Sequence, residues 1–267
     1  MAITSLDLAL AGERPMEFYS KAASGNTVAG RPWTPFYAAG VPGAAAAPAP
    51  GASGAALTTY AGQIPVPPAS GNTHLSYAGF FSSAQGGLVL LCDRLWHNSG
   101  FNVTLTTAQT VNSVTFPERD MDGTTNGEGV FVGVEVSGAM GAGTPTLTMS
   151  YTNQAGTAGR TATNIDATAA SSPVGTFYRM GLQAGDTGVR SVQSLTLSAT
   201  WTSGTIHLVA YRPIAAIPLI GGGLPGTINT VTGNMPRVYD NSVLFPIYLP
   251  ASTASTVITG AVKFTQG

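Results

Sequence analysis

Short runs in which apolar and polar residues alternate fill the middle of the chain. These runs are Asn102–Thr106, Gly129–Val136, Thr144–Tyr151, Ser191–Thr200 and Thr205–Tyr211. A period of two residues, with many Val and Thr side chains, predicts strands that bury one face. The run Gly87–Cys92 is apolar after its glycine, and it predicts a strand that is buried on both faces.

Turn-forming pairs such as Asp122-Gly123 and Asn126-Gly127 lie between these runs. We find no segment of helical period between one run and the next. Consecutive strands that are joined by turns favour antiparallel sheets. The pattern therefore predicts an all-β fold, with an antiparallel jelly-roll or β-sandwich body over residues 76–213.

Residues 1–75 are expected to form a separate N-terminal segment. Ser5 precedes the apolar run Leu6–Leu10 and Gly12 follows it, which predicts a short capped helix. Residues 40–72 are rich in Ala, Gly and Pro, and such a stretch buries too little apolar surface to order itself. We expect an extended arm over residues 31–72, and its low-complexity part is either a plain linker or a segment that docks on a partner.

Residues 214–267 are expected to form a C-terminal extension. Two further strands are predicted, over Ser242–Leu249 and Thr256–Phe264. They either complete the sheets of the body or add to the sheet edge of a neighbouring chain.

Aromatic residues stand out in the N-terminal segment. Aromatic side chains are enriched at the centres of protein interfaces. The candidate protein-interface residues are therefore Trp33, Phe36, Tyr37 and Tyr60. The alternative for each of them is packing against the body of its own chain.

The charge content changes the picture of the surface. Charged residues make up 9% of the chain, against about 25% in an average soluble domain. A surface that is covered in an assembly needs fewer charges for solubility than the surface of a free monomer. The net charge is −1, and Lys and Arg are scattered rather than clustered. This distribution predicts no direct contact with nucleic acid.

Candidate chemistry is sparse in the sequence. Cys92 is the only cysteine and lies in an apolar run, which predicts a buried thiol and no disulfide. The beginning of the chain lacks the pattern of a signal peptide, and no apolar run is long enough for a membrane span. We therefore expect synthesis in the cytoplasm and no membrane partner.

Three histidines, His74, His97 and His207, are far apart in sequence, and none has a neighbour at metal-ligand spacing. A structural or surface role is the favoured interpretation of His207. The segment from Asp93 to Gly100 has both Asp and His and is open to interpretation as an active-site loop. The favoured alternative is a tight corner in which Asp93 pairs with its neighbour Arg94, Trp96 packs, and Gly100 adopts a positive φ.

Three carboxylates, Glu118, Asp120 and Asp122, cluster in one short segment. Their spacing lacks the register of a calcium loop, so a solvated loop is the prediction and a cation site the weaker alternative. We find no nucleophile elbow and no phosphate-binding glycine loop. The sequence therefore predicts a protein that is not an enzyme, with no catalytic residue, no metal and no cofactor.

The middle of the chain resembles proteins from the virion gene clusters of tailed bacteriophages. The resemblance covers residues 87–215, and its motifs are Leu91–Gly100 (LCDRLWHNSG), the Thr-rich Val103–Ala108, the strand Val130–Val136 and Ser150–Gly156 (SYTNQAG). Asn98-Ser99-Gly100 departs from the double glycine of the family's turn. The resemblance implies a virion structural protein, of the kind that cements or decorates capsids with a jelly-roll body, and it brings no catalytic residues.

The partners that follow from this resemblance are the major capsid protein and copies of the chain itself, as a homotrimer. The protein is then made in the host cytoplasm and located in the virion. One alternative is another virion part: a tail, adaptor or head-fibre component. An alternative of a different class is a carbohydrate-binding or glycan-degrading β-sandwich module, which would need aromatic platforms or a carboxylate pair in a groove.

Overall fold

The computed structural model describes residues 3–22 and 26–267, and these residues fold almost entirely as β-structure. Helix α1 spans Leu6–Ala11, and a 3-10 turn spans Pro35–Tyr37. The described strands are β1 Glu17–Lys21, β2 Asn26–Thr27, β3 Gly40–Val41, β4 Ala55–Ala56, β5 Thr73–Ser82, β6 Gly87–His97, β7 Gln109–Thr110, β8 Phe131–Gly138, β9 Leu147–Asn153, β10 Arg160–Asn164, β11 Phe177–Gly181, β12 Val189–Leu197, β13 Thr205–Leu219, β14 Gly226–Asn229, β15 Arg237–Val238, β16 Leu244–Pro250, β17 Ala254–Ser255 and β18 Ile258–Gln266.

Two antiparallel sheets build the molecule. The larger sheet has ten strands in the order β16-β6-β13-β8-β11-β10-β9-β12-β7, and β4 adds to β6. The smaller sheet has six strands in the order β14-β5-β18-β1-β3, and β15 also pairs with β5. Strands β17 and β2 form a separate pair. The predicted all-β, antiparallel sandwich or jelly-roll class is confirmed.

The two longest strands, β6 and β13, serve two hydrophobic cores. One core is enclosed by the curled part of the larger sheet and receives Trp96 from β6 and Leu208 from β13. The other core lies between the larger and the smaller sheet and receives Leu91 from β6 and Ile217 from β13. Position along the strands separates these two cores, since Leu208 lies near the start of β13 and Ile217 near its end. Alternation directs Cys92 and Val209 to a third cluster on the other face.

Several local predictions are confirmed. Ser5 caps α1 by accepting a hydrogen bond from the backbone N–H of Leu8, and Gly12 ends the helix. Gly100 has a φ of 87°, in the left-handed region that favours glycine. Cys92 is fully buried in β6, where burial raises the pKa of its thiol well above the usual value.

The strand predicted over 102–106 is wrong. This segment forms turns, because the Asn102 side chain accepts hydrogen bonds from the N–H (2.9 Å) and the hydroxyl (2.7 Å) of Thr104. Such local bonds offer the backbone an alternative to a strand ladder. The Gln109 side chain closes the turn further by bonding to both backbone groups of Asn102.

The C-terminal residues belong to the two sheets of this chain. Strand β13 continues through Pro213, across the boundary that was expected there. Pairing with β8 ends at Tyr211, so the missing N–H of Pro213 interrupts no ladder on that side. Strand β16 pairs with β6, and β18 pairs with both β5 and β1. The two strands predicted in this region are therefore confirmed, and they complete the chain's own sheets.

The N-terminal arm has little regular structure, as its composition predicts, yet it lies against the body of its own chain. The backbone N–H of Leu57 donates to the carbonyl of Leu95 at 2.8 Å, and that of Ile64 donates to Leu244 at 2.9 Å. Both side chains are buried. The stretch is ordered on its own chain because these anchors, together with Phe36, supply the apolar contact that its composition lacks. Docking of the arm on a partner stays a prediction.

Within residues 3–22 and 26–267, no helix is long and apolar enough to cross a membrane.

Candidate functional site

A buried cluster of ionisable side chains lies beneath the arm. Glu135 on β8 and His207 on β13 are opposite each other in the strand register, and Arg94 approaches from β6. All three side chains are fully buried. Arg94 donates to the Glu135 carboxylate from Nη1 at 3.1 Å and from Nη2 at 2.7 Å. This two-pronged contact is the strongest geometry for an Arg–carboxylate pair.

Two more groups complete the shell of the Glu135 carboxylate. His207 Nε2 lies 2.6 Å from Oε2, and the hydroxyl of Tyr37 donates to the same oxygen at 2.8 Å. The hydroxyl is also 3.0 Å from His207 Nε2. Burial opposes ionisation of the carboxyl, but Arg94 and the hydrogen bond from His207 outweigh it and hold the pKa of Glu135 well below its usual range.

Burial favours the neutral form of both histidines in this cluster. Burial is the main cause that lowers the pKa of both rings, and for His97 the pKa falls to about 3. The short contact to Glu135 places a proton on His207 Nε2, which leaves Nδ1 of the same ring without a partner. Arg94 Nε donates to His97 Nδ1 at 3.3 Å, and Tyr60 stacks edge-on against the His97 ring at 4.8 Å.

Glu-His-Arg-Tyr clusters occur at acid–base sites, but this one is closed. None of the five grooves found on the described surface is lined by Arg94, Glu135 or His207. Glu135 already accepts four hydrogen bonds, so it has little capacity to take up a proton from a substrate. The cluster therefore acts as a clamp that fastens Tyr37 of the arm to the body.

A second buried ion pair fastens the middle of the arm. Arg119 contacts both carboxylate oxygens of Asp93, at 2.9 and 3.2 Å, and donates to the carbonyl of Leu57 at 2.8 Å. The predicted pair of Asp93 with Arg94 is wrong, because neighbours on a strand point to opposite faces. The predicted corner is also wrong, since residues 93–97 continue strand β6. Trp96 packs in the core as predicted.

Asp120 corrects the prediction of a solvated loop. Its carboxylate is buried and accepts hydrogen bonds from the backbone N–H groups of Asp122, Thr124, Gly127 and Glu128, and from the Thr124 hydroxyl. These bonds outweigh burial and lower its pKa. Among the described residues, no cluster of His, Cys, Asp and Glu is arranged to hold a metal ion. Asp120 instead folds the loop around itself.

The four candidate interface residues lie within this chain's own structure. Trp33 is 4% exposed and donates from its ring nitrogen to the carbonyl of Val174, and Phe36 is fully buried. Tyr37 and Tyr60 are half-buried on the clamp. The arrangement matches the alternative of packing on the own body, and contact of any of the four with a partner stays a prediction.

Large apolar side chains are exposed elsewhere, and none of them is among the candidate residues that the sequence predicted. On the N-terminal segment that lies along β18, the exposed fraction is 56% for Leu6, 55% for Leu10 and 65% for Phe18. Phe18 stands opposite Ala261 on the outer face of the smaller sheet. Neighbouring residues of a strand point to opposite faces, so a strand over β1 must expose one of the two aromatic neighbours Phe18 and Tyr19. The structure exposes Phe18 and buries Tyr19.

Comparison with known proteins does not identify a family for the chain. No protein-family model and no curated protein matches the chain. Among solved structures, an infectious bursal disease virus VP2 subviral particle is 11% identical over 96% of this chain and 82% of that chain, with a TM-score of 0.21. A structure of the Gt strain of the same virus matches with the same identity and TM-score. These weak neighbours come from a viral capsid, and likeness at this level carries no argument about this chain.

Proposed function

We propose that the chain is a non-enzymatic structural protein of a virus particle, which cements or decorates a phage capsid. In this role it binds across neighbouring major capsid protein subunits and to copies of itself as a homotrimer, without contacting nucleic acid or membrane. A tail, adaptor or head-fibre position in the virion is the alternative within the same class.

The observation that carries the proposal is the exposure of large apolar side chains on the N-terminal segment, in a chain whose Arg–carboxylate pairs at Glu135 and Asp93 are buried. The strongest ion pairs, Arg94–Glu135 and Arg119–Asp93, are buried, where they fasten the chain to itself. Leu10 and Phe18 are left in water instead. Exposed apolar side chains grouped on one segment are typical of a surface that another protein covers.

Little supports the alternative of a carbohydrate-binding or glycan-degrading module. Five grooves on the described surface are each lined by at most one carboxylate. Glycoside hydrolysis ordinarily requires two. The groove around Ser113 and Arg190 is lined by hydroxyls without an aromatic platform.

Rebinding to particles tests the proposal. Particles are prepared from a virus whose copy of this gene is deleted, and the purified chain is added back and counted after sedimentation. We expect saturable binding at a fixed number of copies, which an image reconstruction then places on the capsid. Because burial of a Phe side chain is worth about 1.5–3 kcal/mol, Phe18→Ser should weaken binding by about tenfold or more.

Ile165→Ser is the matched control. Ile165 is 61% exposed, close to the 65% of Phe18, but follows β10 in the larger sheet. Its substitution should leave rebinding unchanged. Failure of the chain to bind particles, or equal losses in the two variants, contradicts the proposal. Turnover of a glycan by the purified chain would favour the carbohydrate alternative instead.

A further inference from the structure

A cleft of about 650 Å³ opens where β13 parts from β8. Phe131, Pro213 and Ile214 form one wall, and the loop that carries Asn234 and Pro236 forms the opposite wall. The clamp under the arm does not line this cleft. Most of the lining is apolar, but two arginines, Arg212 and Arg237, lie at one side.

Arg212, which lines this cleft, has an unused hydrogen-bond donor buried beside it. Its side chain is only 6% exposed, and its guanidinium lies 5.2 Å from the centroid of the Tyr239 ring. Stacking of this kind covers the face of the guanidinium and leaves its in-plane N–H groups free. Nη2 donates to the carbonyl of Arg237 at 3.1 Å, whereas the buried Nε has no partner. A buried donor without an acceptor costs about 1–3 kcal/mol.

No carboxylate among the described residues forms an ion pair with Arg212 or Arg237. Asp93 influences Arg212 through its charge, but its oxygens are occupied by Arg119, Ser242 and the N–H of Val243.

The guanidinium of Arg237 lies 5.3 Å from the centroid of the same Tyr239 ring, and its Nη1 donates to the carbonyl of Thr73. Glu128 lines the cleft as well, and its Oε2 accepts from the hydroxyl of Thr187 at 2.7 Å. The cleft thus combines two guanidinium groups with a single carboxylate.

The opposite wall is held in an unusual backbone conformation. Asn234 and Met235 have φ values of 54° and 44°, so two successive non-glycine residues lie in the left-handed region. Strain of this kind clusters at ligand clamps and persists where the surroundings enforce it. Here β5 enforces it: His74 Nδ1 contacts the carbonyl of Met235 at 2.9 Å, and Leu75 N–H donates to the carbonyl of Pro236 at 3.0 Å.

We infer that this cleft binds an organic monoanion in which a carboxylate is joined to an apolar body. The carboxylate pairs with the guanidinium of Arg212, which has no carboxylate partner among the described residues. The apolar body covers Phe131 and Ile214. Glu128 disfavours ligands of higher negative charge, such as phosphate, because it adds like-charge repulsion within the cleft. This binding does not depend on the proposed role in a particle.

Nuclear magnetic resonance on the full chain tests the inference. The probe is 4-fluorobenzoate, added to ¹⁵N-labelled protein while the arginine Nε–H signals are recorded. We expect a saturable shift of the Arg212 signal, with broadening of the fluorine line of the probe. Two further probes separate the requirements: 4-fluorobenzyl alcohol has the ring without the charge, and inorganic phosphate has the charge without the ring. Each should bind at least about tenfold more weakly.

Variants connect the signal to the cleft. Arg212→Gln should abolish binding of 4-fluorobenzoate. Since loss of a buried side chain can impair folding, Arg237→Gln, at a half-buried position, is the second variant and should weaken binding severalfold. Arg190→Gln is the control, because Arg190 is an exposed arginine in a different groove. The inference is overturned by absence of a saturable shift, by equal binding of the alcohol or phosphate, or by equal loss in the control.

Discussion

The hydroxyl of Tyr37 donates to Glu135 at 2.8 Å and thereby joins two residues that are 98 positions apart in the chain. Tyr37 belongs to an arm with little regular structure, and Glu135 lies in the interior strand β8. The bond makes an arm residue a direct partner of a buried carboxylate that Arg94 and His207 also contact. The arm is therefore part of the electrostatic balance of the core.

Removal of that hydroxyl should loosen the arm. Tyr37→Phe keeps the ring but removes a hydrogen bond to an ionised group, which is worth about 1.5–3 kcal/mol. We expect a loss of that size in the free energy of unfolding in urea, with faster proteolysis within residues 40–72. Tyr60→Phe is the control, because its hydroxyl bonds to the carbonyl of Ala46 at an exposed position and should contribute less. Equal losses in both variants would contradict the clamp.

Glu135→Gln should be far more damaging than the loss of an ion pair whose arginine reaches solvent. It leaves the guanidinium of Arg94 buried without its counter-charge, at a cost of about 3–5 kcal/mol. Asp166→Asn is the matched control, since its partner Arg179 is 26% exposed and can be hydrated after the substitution. Urea unfolding of the two variants checks this difference. If Glu135→Gln lowers the free energy of unfolding no more than Asp166→Asn does, the buried Arg94–Glu135 pair does not make the expected contribution to stability.

Acid should destabilise the chain in two steps with different origins. The pKa of His97 is lowered to about 3 in the folded chain, so the unfolded chain binds one more proton between pH 6.5 and 3. Stability is lost over this window as pH falls, by about 1.4 kcal/mol per pH unit for one such histidine. The depressed pKa of Glu135 contributes stability that is present above its unfolded pKa and is lost as pH falls further.

Unfolding free energies measured from pH 7 to pH 3 check this prediction. His97→Gln should reduce the slope above about pH 5.5, where Glu135 is ionised in both the folded and the unfolded chain, because its unfolded pKa is about 4.3. A profile that stays flat from pH 7 to pH 5 would contradict a buried neutral His97.

The folded conformation of the loop around Asp120 should depend on the carboxylate of that residue. Asp120→Ala removes the acceptor of five hydrogen bonds and leaves buried donors such as the Gly127 N–H unpaired, which we expect to cost about 2 kcal/mol or more. Asp122→Ala is the control, because Asp122 is exposed and its substitution should change stability by about 0.5 kcal/mol or less. Hydrogen exchange at Gly127 reports the opening of the loop. Similar exchange in both variants would contradict the role of Asp120.

Local patterns predicted the elements that depend on neighbouring residues. The cap at Ser5 and the apolar run of β6 are both set within a few positions of the chain. The strand expected at 102–106 failed for an equally local reason, the side-chain bonds of Asn102 to Thr104. The presence of Asn at the first position of this run is itself a signal against a strand, because its side chain competes for nearby backbone groups.

The buried clusters could not be predicted in the same way. Glu135 alternates with the buried Val134 and Val136, so the pattern alone assigns it to the other face of β8, which a half-buried strand exposes. That face is covered by the arm and by Arg94, which lies 41 positions away. Such contacts depend on tertiary structure. The pairing of Asp93 with Arg94 was predicted because the strand was expected to end at Cys92; β6 instead continues to His97 and places the two side chains on opposite faces.

The shared strands β6 and β13 have a mechanical consequence. They pair from Val209–His97 to Leu219–Gly87, and this ladder passes from one core to the other. Tension applied along these strands must shear many backbone hydrogen bonds together, rather than peel them one at a time. The two halves of the molecule should therefore unfold at the same pulling force, and neither should unfold before the other.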